Sequence, residues 1–430
     1  MDGLPQYVRL KEQWFCSADL TREDLRYVGA LGFQVAFDSN GQGEEPDGAV
    51  ACRINPNASV GHFQLPSRRI VIVEPKVETA SIFRMLAYVF TDSHRRFLRD
   101  EDVKYAADAL MFEPLIELFN ELVSARVRRG LVQDYIRREE NLGSFRGALN
   151  ITAHVQQNLG RDNRVHCRFF EQTVDVPDNR LVKSTIHHLL QFSGWTNRTV
   201  QALIGNFHQF DAVTLDRSPQ RLASNGHYHR LNDDYRPIHE LCRMFLACSS
   251  VSERVGTFGF RGFLLDMNLL FEQFIQKAFE NVLRRGALRA EIQRSRRLSP
   301  NPVAPDIRPD VTVRDGADVV VIADAKYKRN EGGPRNLDIY QVIAYGTVLR
   351  CSETYLLYPQ TEIDSEHDIP VLNSHILVKT RRVDISSKDI TEKAEAVVRA
   401  ILADCQSIPL DVDSTMGSRC SAVNEVAGYS

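Results

Sequence analysis

The chain has 430 residues, 43% apolar and 25% charged, with a formal net charge of −3. That length accommodates two or three domains with ordinary cores, and the slightly acidic balance excludes a generally basic nucleic-acid coat, so any DNA contact must come from local patches. The eight cysteines show no CxxC spacing, the start MDGLPQYVRLKEQW has no apolar signal region, and no apolar stretch is long enough to span a bilayer; reduced thiols, a cytoplasmic location and no membrane partner are therefore expected.

From Leu10 to Glu74 short β-type runs alternate around a Gly/Glu/Asp-rich loop, Asp38 to Gly48, that is expected to be mobile. This reads as a small β-rich module. Helical periodicity follows over Thr79 to Phe90 and Val103 to Gly130, where Leu115, Ile116, Leu118, Phe119, Leu122 and Val123 form a packing face. A strand-like or irregular region centred on His166 to Glu171 precedes a helix over Asn179 to Phe192. Basic clusters at Arg126-Arg128-Arg129, Arg137-Arg138, Arg284-Arg285 and Arg294-Arg296-Arg297 are either DNA patches or solvated faces.

Phe263, Met267, Leu270, Phe271, Phe274, Ile275, Ala278, Phe279 and Val282 recur at helical spacing, which predicts one long amphipathic helix. Glu272 lies on its flank, where a carboxylate either completes a metal shell or is simply solvated. The segment Arg308 to Lys328 is the most informative. Val311-Thr312-Val313 alternates like a half-buried strand, Asp315-Gly316 is a turn signal, and Val319 to Ala323 is a β-branched run, so the segment predicts a hairpin. Asp310 then sits on the strand beside Asp324, and Lys326, two residues on, shares a face with Asp324. Two carboxylates brought together repel unless a cation lies between them, and oxygen ligands suit Mg²⁺ or Mn²⁺. The competing reading is an ordinary hairpin with a surface Asp–Lys pair.

Downstream, Asp338 to Leu349 predicts a helix on which Gln341 and Tyr345 share a face that in a nuclease would touch the DNA backbone or a catalytic lysine and otherwise only packs. Thr354 to Pro359 and His375 to Val378 read as strands, and the tail from Ser407 as flexible. Other chemistries are absent from the sequence: there is no GxxxxGK[ST] loop for nucleotide phosphates, and His239-Glu240-Leu241-Cys242-Arg243 lacks the second histidine of a zinc protease.

The Pro309-Asp310 and Asp324-Ala325-Lys326 elements resemble the PD-(D/E)xK nuclease superfamily. With Ile70 to Lys76, Gly147 and Leu149, Val176 to Lys183, Asp234-Tyr235 and Asp266 to Glu272 in series, the chain resembles the McrC family over roughly residues 60 to 380. That resemblance implies a mixed α/β fold in four parts: a β-rich module with helices over 1–150, expected to dock a partner; a helical or mixed middle over 151–250; a PD-(D/E)xK endonuclease core of mixed sheet flanked by helices over 251–385; and a C-terminal helix with its tail over 386–430. It implies a Mg²⁺-dependent (or Mn²⁺-dependent) endonuclease of a restriction system that cuts double-stranded, modified DNA with an McrB-like hexameric AAA+ GTPase. Asp310, Asp324 and the Ala325 carbonyl would bind metal, Lys326 would be catalytic, Glu272 would join either role, and Gln341 and Tyr345 would fill the QxxxY feature of the RecB-like branch. A non-catalytic activator of an AAA+ motor and a stand-alone repair nuclease are the alternatives.

Overall fold

The computed structural model describes residues 7–37, 49–90, 112–160, 163–216, 219–223, 228, 232–249, 262–284, 286–301, 303–328, 334–361 and 365–406. The loop expected at 38–48, the helical start expected at 103–111 and the tail from 407 lie outside the described residues. The chain divides into two units: Met1–Lys277 with Lys326–Arg329 and Ile385–Thr391, and Ala278–Ala325 with Asn330–Asp384 and Glu392–Ser430.

The first unit runs β1 (Tyr7–Lys11), β2 (Cys16–Thr21), α1 (Arg22–Ala30), β3 (Gln34–Phe37), β4 (Ala49–Asn55), β5 (Ser59–Gln64), β6 (Ile70–Glu74), α2 (Thr79–Phe90), α3 (Glu113–Arg128), β7 (Asp134–Leu142), β8 (Ala148–Leu149), α4 (Ile151–Asn158) and β9 (Val165–Thr173). It continues with α5 (Pro177–Leu189), α6 (Asn197–His208), α7 (Pro219–Ala223), a 3₁₀ turn at Asp233–Tyr235, α8 (Arg236–Ser249), β10 (Gly262–Asp266) and α9 (Met267–Leu283), the last of which ends in the second unit. One sheet has the order β1-β6-β5-β10, another β2-β4-β3, a third β7-β9-β8. Strand β1 alternates exposed and buried residues, and its inward Val8 and Leu10 join Leu20, Tyr27, Phe63 and Val71 in one core.

The long helix expected from Phe263 begins later. Residues Gly262 to Asp266 are extended and pair antiparallel with β5, Leu264 opposite Gly61, because this apolar run is buried on both sides as a sheet strand. Gly61 has φ +128°, and a Cβ there would lie 2.2 Å from the Phe263 carbonyl oxygen, so only glycine lets the two strands close. Asp266 Oδ1 then accepts from the Asn268 and Leu269 amides at 2.9 and 3.4 Å and starts α9. Beside Gly61, the buried His62 ring packs against Phe112, Phe192, Trp195 and Phe263 at centroid distances of 4.8 to 5.9 Å.

The second unit contains β11 (Arg289–Ile292), β12 (Arg296–Arg297), β13 (Asp306–Ile307), β14 (Val311–Asp315), β15 (Asp318–Ala325), α10 (Asn336–Leu349), β16 (Glu353–Pro359), β17 (Asp368–Pro370), β18 (Leu377–Val383) and most of α11 (Ile390–Gln406). Its six-stranded sheet has the order β11-β14-β15-β16-β18-β17. Pairing is antiparallel from β11 to β15, parallel from β15 through β16 to β18, and antiparallel again at β17. Helix α10 is the crossover that a parallel β15–β16 pair requires. Every residue of β16 is buried, as befits a central strand covered on both faces. Gly346 sits where α10 meets the sheet: a Cβ would lie 2.9 Å from the Cys351 carbonyl oxygen and 3.1 Å from both Ile376 Cδ1 and Thr354 Cγ2. The fold is thus the mixed α/β class expected, with strands and helices interleaved.

Candidate active site

The hairpin carries the acidic pair. Strands β14 and β15 run from Val311 opposite Ala323 to Val313 opposite Val321, and a bulge between Val313 and Arg314 shifts the pairing beyond it. Continuing that register by one residue sets Asp310 across from Asp324, and directly opposed residues of an antiparallel pair present their side chains to the same face. A hydrogen bond fixes the approach: Ala325 N–H donates to Asp310 Oδ2 at 2.8 Å. Asp324 is buried and Asp310 half-buried. Asp310 is held from behind as well, since the Gln293 amide donates to its carbonyl at 3.1 Å.

Gln341 and Tyr345 come to the same place from α10. Gln341 Nε2 donates to the Tyr345 hydroxyl at 2.6 Å, and the hydroxyl reaches the Arg308 carbonyl at 3.4 Å. Burial pushes the Tyr345 phenol up to about 12, and the charges of Asp324 and then Asp310 add to the shift, so this hydroxyl stays protonated and available as a donor at any working pH. Both acids act electrostatically on that one phenol, which marks them as a shared electrostatic neighbourhood. Asp310, Asp324, Ala325, Gln341 and Tyr345 are therefore gathered in the second unit. The hydroxyl grips backbone next to the acids, a contact that spacing on a helix does not reveal.

Two of the candidate residues belong to the first unit. Glu272 lies half-buried on α9, where Gln276 Nε2 donates to its Oε1 at 2.9 Å. Lys326 is half-buried and follows the end of β15, so strand alternation stops one residue short of it. Next to it Tyr327 is buried under Lys76 Nζ at 4.2 Å from the ring centroid and beside Phe271.

Asp310 and Asp324 offer carboxylate oxygens, and with the Ala325 carbonyl they would form an all-oxygen set of the kind that Mg²⁺ takes while keeping its waters. Among the described residues no group of three or more His, Cys, Asp or Glu side chains is arranged to hold a metal ion.

Arginines of two of the basic clusters lie in ion pairs. Arg126 pairs with Asp234 at 2.7 Å, Arg137 with Glu139 at 2.7 Å and Arg138 with Glu171 at 3.0 Å. His239 is buried, its Nε2 at 3.1 Å from the Asp178 carbonyl. Among the described residues no helix is long and apolar enough to cross a membrane.

A family model described as "McrBC 5-methylcytosine restriction system component" matches residues 54–359, well over half of the sequence. The chain belongs to the McrBC family. It is a component of an McrBC-type restriction system. No curated protein matches it. Among solved structures, a chain of the refined half-complex from the tetradecameric assembly of Thermococcus gammatolerans McrB AAA+ hexamers with bound McrC aligns at TM-score 0.55 and 17% identity, over 92% of this chain and 100% of that one. A chain of the Thermococcus gammatolerans McrBC complex aligns at TM-score 0.43 and 19% identity, over 64% of this chain and 88% of the other. The first likeness is one of fold across almost the whole McrBC chain described above.

Proposed function

We propose that this McrBC component is the nuclease subunit of its system, a Mg²⁺- or Mn²⁺-dependent endonuclease that hydrolyses phosphodiester bonds of duplex DNA. The observation that carries the reading is the hydrogen bond from the Ala325 amide to Asp310 Oδ2, which holds Asp310 at the end of the strand that carries Asp324. Asp310, Asp324 and the Ala325 carbonyl would hold the divalent cation. When bound, the cation polarises the scissile phosphate and acidifies water for attack. The Ala325 N–H and the Gln293 N–H keep Asp310 in place before substrate arrives. Tyr345 remains neutral and holds the Arg308 carbonyl, with Gln341 orienting it. Lys326, the residue after Ala325, offers positive charge against the charge that develops on phosphate.

The Thermococcus gammatolerans half-complex contains McrB AAA+ hexamers with bound McrC, and the chain has no P-loop of its own. A McrB-like AAA+ GTPase ring is therefore the partner that supplies NTP hydrolysis, and this subunit stimulates it. With partner, GTP and Mg²⁺, the wild-type chain cuts modified duplex DNA, while Asp310→Ala and Asp324→Ala abolish cutting yet co-elute with the partner and keep its GTPase stimulated. Near-normal cutting by Asp324→Ala overturns the site. Cutting that needs neither partner nor GTP makes this a stand-alone nuclease instead.

A further inference from the structure

The arginine beside the acidic pair is held by uncharged acceptors. Arg308 stands two residues before Asp310, with Pro309 between them keeping Arg308 out of helical conformation. Both of its ends are held. Its carbonyl accepts from Tyr345, and its guanidinium donates through Nε to the Gln293 carbonyl at 3.1 Å and through Nη2 to Gln293 Oε1. Gln293 adopts a left-handed backbone, φ +44°, and from that one residue it reaches Arg308 twice and the Asp310 carbonyl once. The clamp orients the guanidinium without neutralising it, because both acceptors are uncharged. By contrast, the neighbouring Arg294, Arg296 and Arg314 all converge on Glu291. Among the described residues no carboxylate pairs with Arg308, which is exposed. The segment from Arg289 to Arg308 holds five arginines and two acids in a chain whose net charge is −3.

We propose that Arg308 is a phosphate-binding residue of the cutting centre, a guanidinium set in advance to take a backbone phosphate of duplex DNA next to the Asp310–Asp324 pair. The inference rests on the nuclease reading and gives that site its grip on the substrate. A forked guanidinium matches phosphate oxygens, and holding its orientation beforehand lowers the ordering cost of binding. A carboxylate partner would compete with phosphate for the same donors; a glutamine does not.

The test is equilibrium binding of a labelled duplex to the full-length chain, with Ca²⁺ in place of Mg²⁺, across a salt series. One phosphate contact contributes a slope of about −0.9 in log K against log salt. Arg308→Gln is expected to shallow the slope by about that amount, so that wild type loses about 3.5-fold more affinity than the variant between about 50 and 200 mM salt. Arg308→Lys, which keeps the charge, is expected to keep the slope. An Arg308→Gln slope equal to that of wild type, or a wild-type chain that holds no duplex at low salt, overturns the inference. Neither result bears on the metal-dependent cutting by the partnered complex, which the Asp324→Ala experiment judges alone.

Discussion

His62 offers a prediction whose size follows from its surroundings. Its ring lies among Phe112, Phe192, Trp195 and Phe263, and neither ring nitrogen has a hydrogen-bond partner among the described residues. Burial alone lowers its pKa from 6.5 to about 3. In the unfolded chain the same imidazole titrates at its ordinary value, so below pH 6.5 the unfolded state binds a proton that the folded state refuses, and stability falls as pH falls. The slope approaches about 1.4 kcal/mol per pH unit, or about 2 kcal/mol lost between pH 6.5 and pH 5. His62→Phe keeps the ring and removes the titration. Urea unfolding followed by tryptophan fluorescence is a direct assay, because Trp195 packs on this ring at 5.0 Å and the other tryptophan, Trp14, is exposed. The variant is expected to lose less stability than wild type between pH 6.5 and 5, by about 2 kcal/mol, whatever offset the larger ring causes at pH 8. Parallel pH profiles for the two proteins would refute the claim that this histidine is buried neutral.

Tyr345→Phe keeps the buried ring and deletes the hydroxyl that joins Gln341 to the Arg308 carbonyl; it is expected to cost about 1–3 kcal/mol and to lower kcat of the partnered complex more than duplex affinity, which single-turnover cutting and binding measurements separate. Gly346→Ala, favoured by helix propensity by about 1 kcal/mol, is expected nonetheless to destabilise by about 1–3 kcal/mol, because the new methyl meets the Cys351 backbone carbonyl at 2.9 Å; an unchanged or raised melting temperature shows that α10 can lift off the sheet at no cost.

The hairpin was legible because its signals are local. Period-2 alternation in Val311 to Val313, the Gly316 turn with φ +58° and the β-branched run to Ala323 all lie within a few residues of one another. Helix α10 was legible for the same reason. The strand at Gly262 to Asp266 was not, since Phe263 and Met267 satisfy a helical period as well as a strand end, and only pairing with β5, two hundred residues away in sequence, decides between them. The Gln293 clamp was also invisible. It depends on a left-handed residue in a loop and on contacts that join β11, the Arg308–Asp310 segment and α10, and no spacing rule encodes those. The partners of the basic clusters were not legible either, because sequence shows the arginines but not the carboxylates that fold onto them, as Asp234 does onto Arg126.

The irregularity between Val313 and Arg314 has a bearing on how this ribbon can change over time. Between it and the tip, pairs are offset by one position from those at the chemically important end, so it acts as a gasket that keeps the tip's length from dictating which way the acids face. Residues at Gly316 and Ala317 can drift, lengthen or be replaced without turning the acids over. Losing a single position anywhere from Val321 to Ala323 has no such cushion: every later side chain changes sides, and Asp324 would be delivered to the opposite surface of the sheet, away from Asp310.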